Sequence, residues 1–162
     1  MTGLRTRENV SGRWSSAMNI GHEHKEYIRF KLWQAKEAHE EAQGLLAAAA
    51  EPAYVMNSLY YAFYYPVLAL LRARDIPAAM QSVSISLFER EFIHTGLIDR
   101  RFFQALRKAF ELKPKCSTPA LGVIGPGDVE ALLADAGDFL ETVHRETGLS
   151  GYPHGQEAPP AR

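Results

Sequence analysis

The sequence predicts an all-α bundle of about five helices. Three observations carry this. Five stretches repeat apolar residues at three- and four-residue steps, the period of one helix face. Breaks bearing proline or glycine separate most of them. No alternation of apolar and polar residues lasts long enough to make a strand.

The first helix is expected over residues 24–50. Tyr27, Phe30, Ala35, Ala38, Ala42, Leu45 and Ala49 mark one side, with a slip near Lys31–Trp33. Glu51-Pro52 breaks it, because the residue before a proline avoids the helical region. The second helix is expected over 53–74. It is apolar nearly all round and needs partners on more than one side. Pro66 inside it predicts a kink, since proline removes one intrahelical donor. The third is expected over 80–93, with Val83, Leu87, Phe88 and Phe92 as its stripe, Ile85 at the edge and Gly96 as a cap.

Asp99 is placed to cap the fourth helix, residues 100–112, whose apolar face is Phe102, Phe103, Leu106, Ala109 and Phe110. Residues 113–127 hold three prolines and three glycines and read as a loop. The fifth helix, 128–147, has the cleanest period: Val129, Leu132, Leu133, Ala136, Phe139, Leu140 and Val143. Gly148 stops it. The organisation expected is a flexible arm over 1–22, a bundle over 23–147 and a flexible Gly/Pro-rich tail over 148–162.

Composition narrows the function classes. Of 162 residues, 46% are hydrophobic and 23% charged, which excludes a collagenous or disordered chain. Eighteen basic residues against nineteen acidic ones leave no global excess that points to nucleic acid. The single cysteine, Cys116, makes neither an internal disulfide nor a thiolate zinc site, in keeping with a cytoplasmic protein. Residues 52–71 carry no charge and have the length of a membrane span, but Asn57, Ser58, five tyrosines and Pro66 favour a buried bundle helix, so no membrane is expected.

No metal and no cofactor is expected either. Glu91/His94 and Glu141/His144 have the Glu-x-x-His spacing of di-iron bundles, yet the second helix offers no acidic ligand and neither Glu141 nor His144 faces the core. His22-Glu23-His24 lacks a third ligand nearby. The glycines of 122–127 precede a helix without the Lys-Ser/Thr of a phosphate loop. Residues 99–115 hold six basic against two acidic side chains, and the fifth helix holds six acidic against one basic. The basic stretch is expected to pair with acidic helices, in this chain or in a second copy, rather than with phosphates.

The run A-K-E-A-H-E-E-A-Q-G-L-L followed by N-S-L-Y-Y-A-F-Y-Y resembles the HEPN family. Asn57, Tyr60, Tyr61 and Ala62 match that family's Asn-Arg-x-Tyr-Tyr-Ala. Ile85 to Gly96, I-S-L-F-E-R-E-F-I-H-T-G, is similar to its Ile-Ser-Leu-Phe-x-x-Glu-Phe-x-x-Thr-Gly segment. Phe110-Glu111-Leu112-Lys113 stands where the family often has Glu-Leu-Arg, and the resemblance spans residues 25–146. It implies a HEPN-like helical bundle with a kinked central helix, a homodimer, and in some members a toxin–antitoxin pairing with a small nucleotidyltransferase.

Family members that cleave RNA carry an Arg, four to six intervening residues, then His. Arg90 and His94 come closest here, with three residues between, and are the candidate catalytic pair. Ser58 replaces the family's Arg, and Tyr65 stands where a His often follows. The expectation is therefore a non-catalytic HEPN-type module that binds a protein partner, such as a nucleotidyltransferase, or a nucleotide or RNA. Asn57, Tyr60, Tyr61, Tyr64, Tyr65 and Lys113 are the expected contact residues. The alternatives are an RNA endonuclease toxin with a rearranged site and a purely structural homodimer.

Overall fold

Helix α1 (His22–Ala47) and helix α2 (Pro52–Ala73) form an antiparallel-type hairpin on which the other helices assemble. The computed structural model describes residues 20–77, 80–114 and 124–152. Most of the expected arm (1–19), most of the expected loop (115–123) and the end of the expected tail (153–162) lie outside the described residues.

The buried stripe of α1 is Ile28, Leu32, Ala35, Ala38 and Ala42. Tyr27 and Phe30, expected on that face, are only half-buried. The slip near Lys31–Trp33 came from phasing the helix on its aromatic rings. The aliphatic residues 28 and 32 continue the alanine stripe without a slip. Helix α1 stops three residues early, and Ala49 takes a left-handed φ of 52° in the turn before Pro52.

Helix α2 opens on Pro52, whose missing N–H costs nothing at a first helical position. Its burial is as expected: Met56, Leu59, Tyr60, Phe63, Val67 and Leu70 are fully buried. It packs against α1, against α3 (Gln81–Phe88), against α4 (Arg100–Leu112) and against α5 (Pro126–Thr147). Pro66 is buried within α2, and the helix continues through it.

The third element departs from expectation. After Phe88 it widens into a π-helical turn, Glu89–Ile93, closed by His94 N–H donating to the Glu89 carbonyl at 2.9 Å. Its buried line is Ser84, Phe88 and Phe92, spaced one turn apart, while the expected stripe residue Val83 is 43% exposed. Gly96 ends the turn at φ 74°. Asp99 caps α4 as expected, accepting from Arg101 N–H at 2.9 Å. Helix α5 starts two residues before the expected position, with Gly125 N–H donating to the Asp128 carboxylate at 3.1 Å, and Gly148 ends it at φ 67°. Leu133 is only half-buried, whereas Phe139 is fully buried.

The core is a cluster of rings. Phe139 lies with its centroid 5.1 Å from Phe102, 5.7 Å from Phe88 and 6.2 Å from Phe63. At the surface, Arg101 bridges Asp135 and Asp138 at 3.1 and 3.2 Å, and Lys108 meets Asp128 at 2.6 Å. Part of the basic stretch thus pairs with the acidic α5. Beyond α5, Tyr152 returns to α1: its hydroxyl donates to Glu26 at 2.8 Å and its ring lies 5.1 Å from the Arg29 guanidinium. Among the described residues there is no strand, and no helix is long and apolar enough to cross a membrane.

Candidate functional site

The hairpin of α1 and α2 leaves an open groove of about 430 Å³ along its outer side. Trp33, Glu37 and Glu41 line it from α1, and Asn57, Ser58, Tyr61 and Tyr65 from α2. Residues four apart share a helix face, so each helix contributes one line of side chains. Three of the expected contact residues, Asn57, Tyr61 and Tyr65, therefore meet in one place.

The rings in this groove are ordered by stacking. Tyr61 and Tyr65 lie 5.5 Å apart at 29°, and Trp33 stacks on Phe30 at 5.9 Å. Lys31 sits at the edge, 5.3 Å from the Tyr65 centroid, donating to Gln34 at 2.8 Å. Burial pushes the Lys31 ammonium below its ordinary range. The Tyr65 phenol is pushed up, first by burial and then by neighbouring Tyr61 and Glu41. The nearly buried Ser58 hydroxyl donates to Glu41 at 2.8 Å and fixes that carboxylate across the gap between the helices. Neither Glu37 nor Glu41 pairs with a basic side chain among the described residues.

Tyr60, Tyr64 and Lys113 are placed elsewhere. Tyr60 is fully buried and Tyr64 nearly so, stacked at 5.6 Å and 13°. The Tyr60 hydroxyl donates to Gln81 at 3.1 Å. The Lys113 ammonium lies 4.5 Å from the Tyr60 centroid, 5.7 Å from Phe110 and 5.9 Å from Tyr61. These two phenols are part of the protein interior and offer no surface to a ligand.

Arg90 and His94 lie at the π turn, and the structure does not draw them onto one target. Arg90 Nη2 holds Glu91 at 2.8 Å, whereas His94 Nε2 faces Glu89 at 3.4 Å. Glu91, half of one Glu-x-x-His pair, also meets Arg74 at 3.4 Å. The other pair needs a correction. Glu141 is exposed as expected, but His144 is half-buried, and its Nε2 has no hydrogen-bond partner among the described residues. Burial pushes this imidazole below its ordinary 6.5. Among the described residues no three His, Cys, Asp or Glu side chains gather as a metal site. His24, from the His-Glu-His run, faces Asp75 at 3.6 Å.

A second hollow, about 340 Å³, lies at Glu89, Arg100, Phe103, Gln104, Arg107, Lys108 and Glu111. Its charges are mixed, and Lys108 and Arg107 already meet Asp128 and Glu111 at 2.6 and 3.4 Å. Reading the sequence missed Trp33, Glu37 and Glu41. Their spacing of four was the available signal, but only the packing of α2 beside α1 turns that exposed line into one wall of a groove.

No protein-family model matches the chain, and no solved structure matches it. Two curated proteins are similar. The UPF0332 protein of Thermotoga maritima is 26% identical over 123 residues, which cover 76% of this chain and 92% of that one. A protein of Methanocaldococcus jannaschii named "Putative toxin" is 27% identical over 110 residues, covering 68% of this chain and 75% of its own.

Proposed function

We propose that this chain is a HEPN-type helical module of a toxin–antitoxin-like pair, acting by holding a protein partner in the α1–α2 groove. The observation that carries this reading is the convergence of Asn57, Tyr61 and Tyr65 with the carboxylates of Glu37 and Glu41, neither of which meets a basic side chain among the described residues. Half-exposed tyrosines suit a protein interface, with an apolar ring and a polar tip. Two carboxylates beside them repel the phosphates of RNA or a nucleotide, so a protein is the favoured ligand class. The name of the archaeal relative agrees with a toxin–antitoxin setting. The resemblance to HEPN domains supplies the partner to test first, a small nucleotidyltransferase. Self-association belongs to the same reading. It rests on the 63%-exposed Tyr54, which does not line the groove, since the bundle covers Tyr60 and Tyr64 by itself.

Co-expression with the product of an adjacent nucleotidyltransferase reading frame tests the proposal. The two proteins should co-elute, Tyr61→Ser should weaken the complex, and light scattering of the chain alone should give about twice 18.1 kDa. Separate elution at micromolar concentration would reject the pairing.

The second reading, RNA cleavage, draws on Arg90 and His94. A proton-moving group and a cation must converge on one phosphate, but here each side chain faces a different carboxylate. Purified protein with single-stranded RNA and a chelator should give no cleavage. Cleavage lost in His94→Ala or Arg90→Ala would install the toxin enzyme in its place.

A further inference from the structure

We propose that the α1–α2 groove is an arginine socket: it takes a guanidinium from a basic segment of the protein partner. This rests on the binding-module reading and names the chemistry that the module recognises.

The argument is charge and shape together. Glu37 and Glu41 stand one turn apart on α1 and point no charge at a basic residue among those described. Glu41 is held in place by Ser58, so one acceptor is set before any ligand arrives. The rings of Trp33, Tyr61 and Tyr65 line the same groove. Carboxylates next to aromatic faces select a cation. At the groove's edge Lys31 already lies 5.3 Å from the Tyr65 centroid, so a cation beside these rings is part of the folded protein. A guanidinium fits better than an ammonium. It is planar, stacks on a ring, and gives a carboxylate two parallel hydrogen bonds. The exposed amide of Asn57 at the rim offers its oxygen to a remaining N–H.

The test uses Trp33 as reporter in the full-length chain carrying Trp14→Phe, since the sequence has two tryptophans. The probe is a short capped peptide of glycine, serine and arginine, compared with the same peptide carrying citrulline or lysine. The arginine peptide should quench Trp33 saturably. Citrulline, isosteric but neutral, should weaken binding at least about tenfold, and lysine by a smaller factor. Glu37→Gln, an exposed change, should also weaken the arginine peptide about tenfold with an unchanged circular dichroism spectrum.

Equal binding of arginine and citrulline peptides, or no effect of Glu37→Gln, would overturn the socket. So would tighter binding of single-stranded RNA at the same groove. Much tighter peptide binding after Arg5→Gln, Arg7→Gln and Arg13→Gln together would assign the socket to the chain's own arm and overturn the partner. The two proposals fail separately. A partner that co-elutes equally with Glu37→Gln sinks the socket alone. Glu37-dependent peptide binding without any co-eluting nucleotidyltransferase sinks the pairing alone.

Discussion

Helix α2 carries two pairs of tyrosines that differ by one position in sequence and by their whole surroundings. Tyr60 and Tyr64 face inward, stacked on each other and closed off from solvent. Tyr61 and Tyr65 face the groove, stacked on each other and half-exposed. One residue step turns a helix by about 100°, which is enough to separate an interior from a surface. The same run, N-S-L-Y-Y-A-F-Y-Y, thus builds the core and the candidate site at once. A residue type that repeats in a helix has no single role, because rotation decides what each copy meets.

The sharpest way to break the inside–outside division is in the ring cluster beneath α2. Phe139→Ala removes a fully buried ring that touches Phe63, Phe88 and Phe102. It should cost about 3–5 kcal/mol in urea unfolding. Asp138→Ala, next in sequence but 55% exposed and paired with Arg101, should cost less than about 1 kcal/mol. Similar losses from the two would mean that α5 is rotated from the position described.

A smaller effect separates the tyrosines themselves. Tyr60→Phe deletes the hydroxyl that donates to Gln81 and should cost about 1 kcal/mol. Tyr61→Phe should stay within about 0.5 kcal/mol, because its hydroxyl lies on the groove side. Differential scanning calorimetry on the two variants gives the comparison, and a larger loss from Tyr61→Phe would reverse the assignment of faces.

The smallest effects are in the pH dependence. Burial first, then Tyr64 and Tyr61, raises the Tyr60 phenol above its ordinary 10.0. The folded protein then keeps a proton that the unfolded chain has lost. Stability is full below pH 10.0 and declines as pH rises above it. His144 acts at the other end. Its folded imidazole is held below 6.5, so the unfolded chain binds the proton first and stability declines as pH falls below 6.5. Urea midpoints across the pH range should show both limbs. Tyr60→Phe should lessen the alkaline one, to which the raised phenols of Tyr27, Tyr65 and Tyr152 also contribute, and His144→Asn the acid one, and an unchanged profile in either variant would remove that residue from the account.

Much of this architecture was legible because its signals were local. Asp99 before α4, Gly148 after α5 and the all-round apolar character of α2 each follow from a residue and its neighbours. The failures share one cause, since they depend on rotation or on distant partners. Weighting the rings of Tyr27 and Phe30 put a false slip into the first turns of α1, and Trp33, Glu37 and Glu41 become a groove wall only because α2 packs beside them. The π turn followed from no residue that breaks a helix: Glu89 to Ile93 would suit an ordinary α-helix. His144 looked surface-facing on a helical wheel. Its burial is set by how the helix packs on its neighbours, α1 among them, which periodicity along α5 does not encode. In the candidate site, Asn57, Tyr61 and Tyr65 were found from a pattern, whereas their separation from Tyr60, Tyr64 and Lys113 needed the third dimension.

The return of Tyr152 to α1 has a kinetic consequence. Its hydrogen bond to Glu26 joins residues 126 positions apart, and Gly151 beside it approaches the Trp33 backbone so closely that a Cβ would lie 2.9 Å from the Trp33 nitrogen. The α1–α2 hairpin closes only a short turn and loses little chain entropy in forming, whereas the Tyr152 strap closes nearly the whole chain. The hairpin should therefore assemble early and the strap last. Removing the strap's hydroxyl in Tyr152→Phe should leave the refolding rate almost unchanged and speed unfolding, so that this final stretch acts as the latch on a bundle already built.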